Sequence, residues 1–278
     1  MSRSYEDRLR RVVRYIHDNP AGDLSLDRLA EVAAMSRFHW HRVYHAMTGE
    51  TCADTVRRIR LHRASHWLVH TDDPVDVVAA RAGYDNVKSF ARAFRDSYGV
   101  TPLAFRKDGL PGTAPLLLKQ GETGMYDVEI KSLPDQRLAG IEHKGAYPQI
   151  GAAYEQLSAV FTSRNLWPHA RGMVAVYYCD PSAVPEADLR SLAGVSVTDA
   201  LDIPDDLQES TLPGGRHAVL RLKGPYTGLP SAYEYLYGAW LSETGEEPAD
   251  APSFEMYLNS PMDTAPAELL TDVCVPLK

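Results

Sequence analysis

Residues 137–161 lie over residues 216–240 without a gap at an offset of 79, with nine of 25 positions identical. The matches include Lys144-Gly145-x-Tyr147 on Lys223-Gly224-x-Tyr226 and Ala153-Tyr154-Glu155 on Ala232-Tyr233-Glu234. A unit that occurs twice needs one backbone solution that serves both copies. This half of the chain is therefore expected to hold two similar strand–turn–helix units, and the seam where such copies meet is a natural place for a pocket. The first half carries a shorter echo, Arg42 through Gly49 against Arg92 through Gly99 at an offset of 50.

The chain has 278 residues, about twice the ~150 of one domain. A Gly- and Pro-rich stretch over 108–124 separates two periodicities. Before it, Tyr5, Leu9, Val12, Val13 and Ile16 repeat as on one face of a helix, which Asn19-Pro20-Ala21-Gly22 ends. After it, Tyr126–Ile130 and Phe254–Leu258 alternate with the period of a strand. The predicted fold is an all-α double helix-turn-helix domain over 1–107, a linker over 108–124, and an α+β domain of two repeated units over 125–278.

Charge divides at the same place. The whole chain carries a formal −8, but residues 1–110 carry +4 and seven of the ten histidines, whereas residues 111–278 carry −12. An acidic total argues against nucleic acid only if the charge is evenly spread. Here a basic half is left to bind DNA, and the acidic half is expected to lie away from the recognition face. No run of 18 or more apolar residues and no apolar leader is present, which predicts no membrane partner and a cytoplasmic protein. Cys52, Cys179 and Cys274 are odd in number and widely spaced, so neither a disulfide framework nor a CxxC metal site is expected.

In the basic half, Ser25 reads as the N-cap of a helix with Leu26, Leu29, Ala30 and Ala33 on one face. After a break at Ala34-Met35, Ser36 reads as a second N-cap, with Trp40, Val43, Tyr44 and Met47 inward. Arg37, Phe38, His41, Arg42 and His45 make the opposite stripe. The pattern recurs after Asp73-Pro74, with Val75, Val78, Ala79 and Ala82 inward, then Gly83 and a turn. In the last helix Phe90, Ala93 and Phe94 point inward, while Lys88, Ser89, Arg92 and Arg95 point outward. A helix over roughly residues 52–70, about 27 Å long at 1.5 Å per residue, spaces the units so that both recognition helices meet one side of DNA. Solvated surface charge is the plain alternative for any one of these side chains. Metal binding by His41/His45 or His62/His66/His70 is disfavoured, since no carboxylate or Cys cluster completes either set.

Leu29-Ala30, Ser36-x-x-x-x-x-Arg42, Ala79-x-x-x-Gly83-Tyr84, Phe90-x-x-x-Phe94 and Gly99-x-Thr101-Pro102-x-x-Phe105-Arg106 make residues 8–107 resemble the AraC/XylS-type DNA-binding domain. The resemblance implies DNA contacts from Phe38, His41 and Arg42, with Arg37 beside them, and from Val87, Lys88, Ser89 and Arg92. Val87 stands where relatives often carry a polar residue, so the second half-site is expected to be read loosely, through a thymine methyl.

The acidic half holds ten of the 15 tyrosines, a composition hostile to polyanions and suited to a neutral or cationic small molecule. In Pro252–Pro261, Phe254, Met256 and Leu258 share one strand face and Glu255, Tyr257 and Asn259 the other. The apolar face is expected to lie under the repeat helices. In the first repeat Ala175 takes the place of Glu255, so a carboxylate occurs in one copy only. An exposed strand glutamate is the plain alternative, and most tyrosines in such a domain are core.

The Lys-Gly-x-Tyr turns, Tyr233-x-x-Leu236-x-x-x-Trp240-Leu241, Pro252-x-Phe254-Glu255-x-Tyr257-Leu258 and Thr271–Leu277 make residues 125–278 resemble the GyrI-like, or SHS2-duplicated, effector-binding domain. The resemblance implies a bulky cationic or aromatic ligand against Glu255. Tyr147, Tyr226, Trp167, Trp240 and Tyr257 are the candidate walls. The expected function is a one-component transcription regulator with double-stranded DNA, a small-molecule effector and RNA polymerase as partners, and with no cofactor or metal. The alternatives are a hydrolase using Glu255 with Tyr257 or Tyr154 as base and partner, and a protein that sequesters a toxin.

Overall fold

In α1 (Arg3–Asp18) the spaced apolar residues Tyr5, Leu9, Val12 and Ile16 are all buried. The structure, a computed structural model, describes residues 3–108, 126–261 and 263–278, so the predicted linker lies, beyond Asp108, outside the described residues. α2 (Leu26–Ala33) starts at Ser25, whose side chain accepts from the Arg28 amide, as the sequence predicts. α3 (Trp40–Thr48) begins later than predicted, because residues 37–39 form a turn and Ser36 accepts the Phe38 amide across it. α4 (Cys52–His70) is the predicted connecting helix, capped by Thr51 on the Asp54 amide. α5 (Val75–Arg81), α6 (Val87–Tyr98) and α7 (Pro102–Asp108) complete the second unit. Asp73 does not cap α5, since Pro74 takes that position and the Asp73 carboxylate pairs with Arg81 instead.

The second unit closes its own core of Leu61, Leu68, Val78, Phe90, Phe94 and Phe105. The first does not. Leu29, Trp40, Tyr44 and Met47 share one continuous buried cluster with Ala218, Leu220, Leu236, Tyr237 and Val273 of the C-terminal half.

That half has the two predicted repeats. The first is β1 (Val128–Leu133), β2 (Gln136–Lys144), α8 (Gly151–Ser163), β3 (Ala170–Tyr177) and β4 (Arg190–Val197). The second is β5 (Gln208–Leu212), β6 (Gly215–Lys223), α9 (Leu229–Glu234), α10 (Leu241–Thr244), β7 (Ser253–Tyr257) and β8 (Leu270–Pro276), with a π-helical turn over Tyr235–Trp240 joining α9 to α10. The strands form one antiparallel sheet in the order β1-β6-β8-β7-β3-β4-β2-β5, so each repeat lends its first strand to the far edge of the other. β3 pairs with β7 at the centre, and Ala175 faces Glu255 across the pair. The two residues that the repeat makes equivalent are thus direct neighbours, and the pseudo-twofold axis passes between them.

The sidedness of the sheet differs from the expectation. Phe254 packs with Leu138, Val176, Leu192, Leu212, Val219 and Cys274, drawn from seven strands, so the sheet curls around its own apolar face. The helices cover the other face, where Ile150 and Ala153 of the α8 region pack on Ala175 and Ala193. Alternation along β7 separates two faces but does not say which one meets helix. Glu255 and Tyr257 therefore lie beneath the helices, at the seam.

Candidate functional site

Glu255 projects from β7 into that seam and is 2% exposed. Its Oε2 accepts from the Tyr257 hydroxyl at 2.8 Å and the Tyr177 hydroxyl at 3.2 Å, and its Oε1 accepts from the Tyr233 hydroxyl at 3.1 Å. Burial pushes the carboxyl up to about 7, against the pull of these three hydroxyls and of Arg42.

The surrounding tyrosines come as equivalent pairs from the two repeats: Tyr154 with Tyr233, Tyr147 with Tyr226, and Tyr177 with Tyr257. Edge-on contacts join them, with ring centres 4.7 Å apart for Tyr147 and Tyr177, 5.4 Å for Tyr226 and Tyr257, and 5.9 Å for Tyr154 and Tyr257. The one break in the symmetry is Glu255 against Ala175. It leaves a mark, because the Tyr233 hydroxyl has the carboxylate to donate to while the buried hydroxyl of its twin Tyr154 has no acceptor to donate to among the described residues. A buried polar atom of this kind costs stability unless something else satisfies it.

Of the wall residues expected from sequence, Tyr257 lies in this cage and Tyr147 and Tyr226 on its rim. The two tryptophans are corrections. Trp240 is buried in the core shared with the first helix-turn-helix, where the π-helical turn carries it. Trp167 is 39% exposed, packs on Phe161 and donates to Thr162 Oγ1 at 3.0 Å. Sequence reading overlooked Tyr177 and Tyr233 as direct partners of Glu255; superposing the repeats residue by residue was the available signal.

The cage has one further wall, and the N-terminal domain supplies it. Arg42 of α3 donates to Ser253 Oγ at 2.8 Å and to the Cys179 carbonyl at 3.0 Å, and its guanidinium lies 4.8 Å from the Tyr233 ring centre and 5.5 Å from that of Tyr237. Burial alone would disfavour its charge, but Tyr237, Tyr233 and Asp180 more than offset this and raise its pKa. Beside it, His41 Nδ1 donates to Asp180 Oδ2 at 3.0 Å while Nε2 accepts the Cys52 amide at 3.2 Å. Although burial opposes it, the His41 bond together with Arg42 and Ser182 holds the Asp180 carboxyl well below the usual range. His39 accepts from the Tyr237 hydroxyl and donates to the Ala251 carbonyl; burial pushes it down to about 3, so it stays neutral. Ser36 donates to Asp250, and Arg8 pairs with Glu247. Gly238 in the π-helical turn approaches α3 so closely that a Cβ there would lie 3.1 Å from Ala46 Cβ and 3.2 Å from its carbonyl oxygen.

Two expectations are corrected by this contact. His41 and Arg42 do not stand on an outward stripe, and the acidic half lies directly on the first recognition helix. The net −12 repels DNA but not the +4 half, and opposite charges at close range, joined to a shared apolar core, hold the acidic half on this helix.

The remaining nucleic-acid candidates stand outward. Arg37 is exposed and stacks on Phe38, with 5.0 Å to the ring centre. On α6, Val87 is 40% exposed, Lys88 and Ser89 are exposed, and the Arg92 side chain is largely in solvent. Asn86 anchors this surface by accepting the Lys88 and Ser89 amides. His62, His66 and His70 stack along α4, but no group of three or more potential metal ligands occurs among the described residues. No described helix is long and apolar enough to cross a membrane.

Two helix-turn-helix units ahead of a duplicated sheet with a buried carboxylate define an AraC-type DNA-binding domain joined to a small-molecule-binding domain. Residues 126–278, more than half of the chain, match the GyrI-like small molecule binding domain, and the chain belongs to that family. Residues 29–108 match a helix-turn-helix domain. The bifunctional transcriptional activator/DNA repair enzyme AdaA of Bacillus subtilis is 29% identical over 96 residues, 34% of this chain; the match spans 46% of AdaA, under half its length. The multiple antibiotic resistance protein MarA of Escherichia coli is 24% identical over 106 residues, covering 38% of this chain and 84% of MarA. The DNA gyrase inhibitor of Yersinia enterocolitica is 28% identical over 129 residues, covering 45% of this chain and 81% of that protein.

Proposed function

We propose that the protein is a DNA-binding transcription regulator whose C-terminal domain senses a bulky, lipophilic cation at Glu255. The observation that carries this reading is a single buried carboxylate inside a symmetric set of tyrosines, which gives a cation both a counter-charge and aromatic faces. The Tyr154 hydroxyl, with no acceptor among the described residues, adds a donor for a polar atom on the same ligand.

Tetraphenylphosphonium and neutral triphenylphosphine oxide test the counter-charge. Glu255→Gln is expected to weaken the cation by about 2 kcal/mol, roughly thirtyfold, and to leave the oxide nearly unchanged. The wild-type affinity for the cation should rise from pH 5 to pH 8 as Glu255 loses its proton. Equal losses for both probes in a calorimetric titration would remove the carboxylate from recognition.

DNA recognition is assigned first to the exposed face of α6. Arg92→Ala is expected to weaken binding to DNA from the protein's own promoter region by about 1–3 kcal/mol and, if Arg92 meets phosphate, to lower the salt slope by about one. A gel-shift series over salt reads both. An unchanged affinity and slope would exclude this face.

A further inference from the structure

α6 buries only Phe90 and Phe94. α3 is different. Trp40, Val43, Tyr44 and Met47 face its own domain, while His39, His41 and Ala46 are buried as well, the two histidines by bonds to Tyr237, Ala251 and Asp180 and Ala46 by Gly238. With His41 and Arg42 held by the C-terminal half, that stripe of α3 cannot lie in a major groove, although Arg37 just before the helix stays exposed. The cage is also shut, with Glu255 2% exposed and the Arg42 guanidinium on the ring of Tyr233, the same tyrosine that donates to Glu255. Two cations cannot hold one tyrosine face, because they repel at contact and compete for the same area.

From this we infer that Arg42 is the resident occupant of the effector site: it takes the aromatic face a cationic ligand needs, and the ligand's entry expels it and undocks α3. The inference rests on the cation-sensing reading and adds its regulation. Arg42 sets the affinity threshold of the site, and with Arg42 docked the protein meets DNA through α6 alone. Once Arg42 leaves, both recognition helices are available, so ligand and two-site DNA binding reinforce each other. Coupling free energies of the usual size would make each tighten the other by about five- to 150-fold.

The full-length protein is titrated with tetraphenylphosphonium, and amide hydrogen exchange is followed in α3 and α6. Arg42→Ala should bind the cation at least about fivefold more tightly than wild type, an increase that a purely structural arginine would not give. In wild type the cation should speed exchange in α3 and leave α6 unchanged. Gly238→Ala keeps Arg42 and the cage but presses its Cβ on Ala46, so that the contact must give by a few tenths of an ångström, and should speed exchange in α3 without ligand. Should Gly238→Ala fail to fold, the Arg42→Ala titration and the wild-type exchange still decide the matter. Binding confined to Arg42→Ala would support the inference most strongly. Binding that is lost in Glu255→Gln yet equal in wild type and Arg42→Ala, with α3 protected throughout, overturns the inference and leaves the cage reading intact. No binding by either protein overturns both.

Discussion

Between pH 5 and pH 8 the wild-type protein should lose about 2–3 kcal/mol of stability relative to Glu255→Gln. Burial pushes the Glu255 carboxyl up to about 7, above the ordinary 4.5. The folded chain therefore keeps a proton through a range in which the unfolded chain has released it. The resulting stability is fully present below the ordinary carboxylate pKa and is lost as pH rises through 7, after which the difference between the variants is constant. Glutamine does not titrate, so its effect on the tyrosine hydrogen bonds is a fixed offset. His39 is neutral in the fold with its pKa near 3, and both variants lose stability together as pH falls below its unfolded value. Urea midpoints at pH 5, 6, 7 and 8 for the two proteins give the difference directly. Parallel curves would show that Glu255 is ionised in the fold throughout and that the cage is wetter than its burial implies.

The repeat at offset 79 made much of the C-terminal half legible. Carried past its matched stretch, it makes β3 and β7 equivalents, with Ala175 against Glu255 at an offset of 80. It could not show that these two strands pair with each other, because strand order depends on how the repeats dock. The exchange of β1 and β5 between sheet edges leaves no local trace in sequence for the same reason. Trp240 belongs to a sequence signature of the domain and Trp167 to none, and neither fact says where a ring points; lining up the repeats pairs Tyr233 with Tyr154, and lining up β3 with β7 pairs Tyr177 with Tyr257.

The first recognition helix shows a different limit. Periodicity finds the face of α3 that carries Trp40, Val43, Tyr44 and Met47, and it assigns polar residues on the other side to solvent. That assignment fails where each polar group has a distant partner matched to it, as His41 has Asp180, His39 has Tyr237 and Arg42 has Ser253. Helical pattern analysis weighs hydrophobicity and is blind to such pairing. Net charge is blind to it in the same way: −12 is a sum, but Asp180 acts at 3.0 Å.

The glycine that ends α5 shows how a residue with a legible local role can also carry a long-range one, and Gly83→Ala should be among the most damaging single substitutions in the DNA-binding half. Gly83 has a left-handed φ of +76, which an L side chain adopts at a cost of about 1 kcal/mol. A Cβ there would also strike the Pro20 carbonyl oxygen and sit 2.7 Å from a terminal nitrogen of Arg60, whose Nε donates to that same carbonyl at 2.7 Å. Pro20 belongs to the loop between α1 and α2, so the contact ties the second helix-turn-helix to the first through α4. Backbone cannot yield as a flexible side chain does, and overpacking of this kind adds about 1–3 kcal/mol. Gly99 provides the control, since it has a φ of +75 but no atom of the described residues within 4 Å of its added Cβ. Gly99→Ala should cost only the conformational part, about 1 kcal/mol, while Gly83→Ala should cost about 3 kcal/mol. Urea midpoints of the two variants separate the contributions. Equal losses would mean that the two units are held in register by α4 alone, without the Pro20–Arg60–Gly83 wedge.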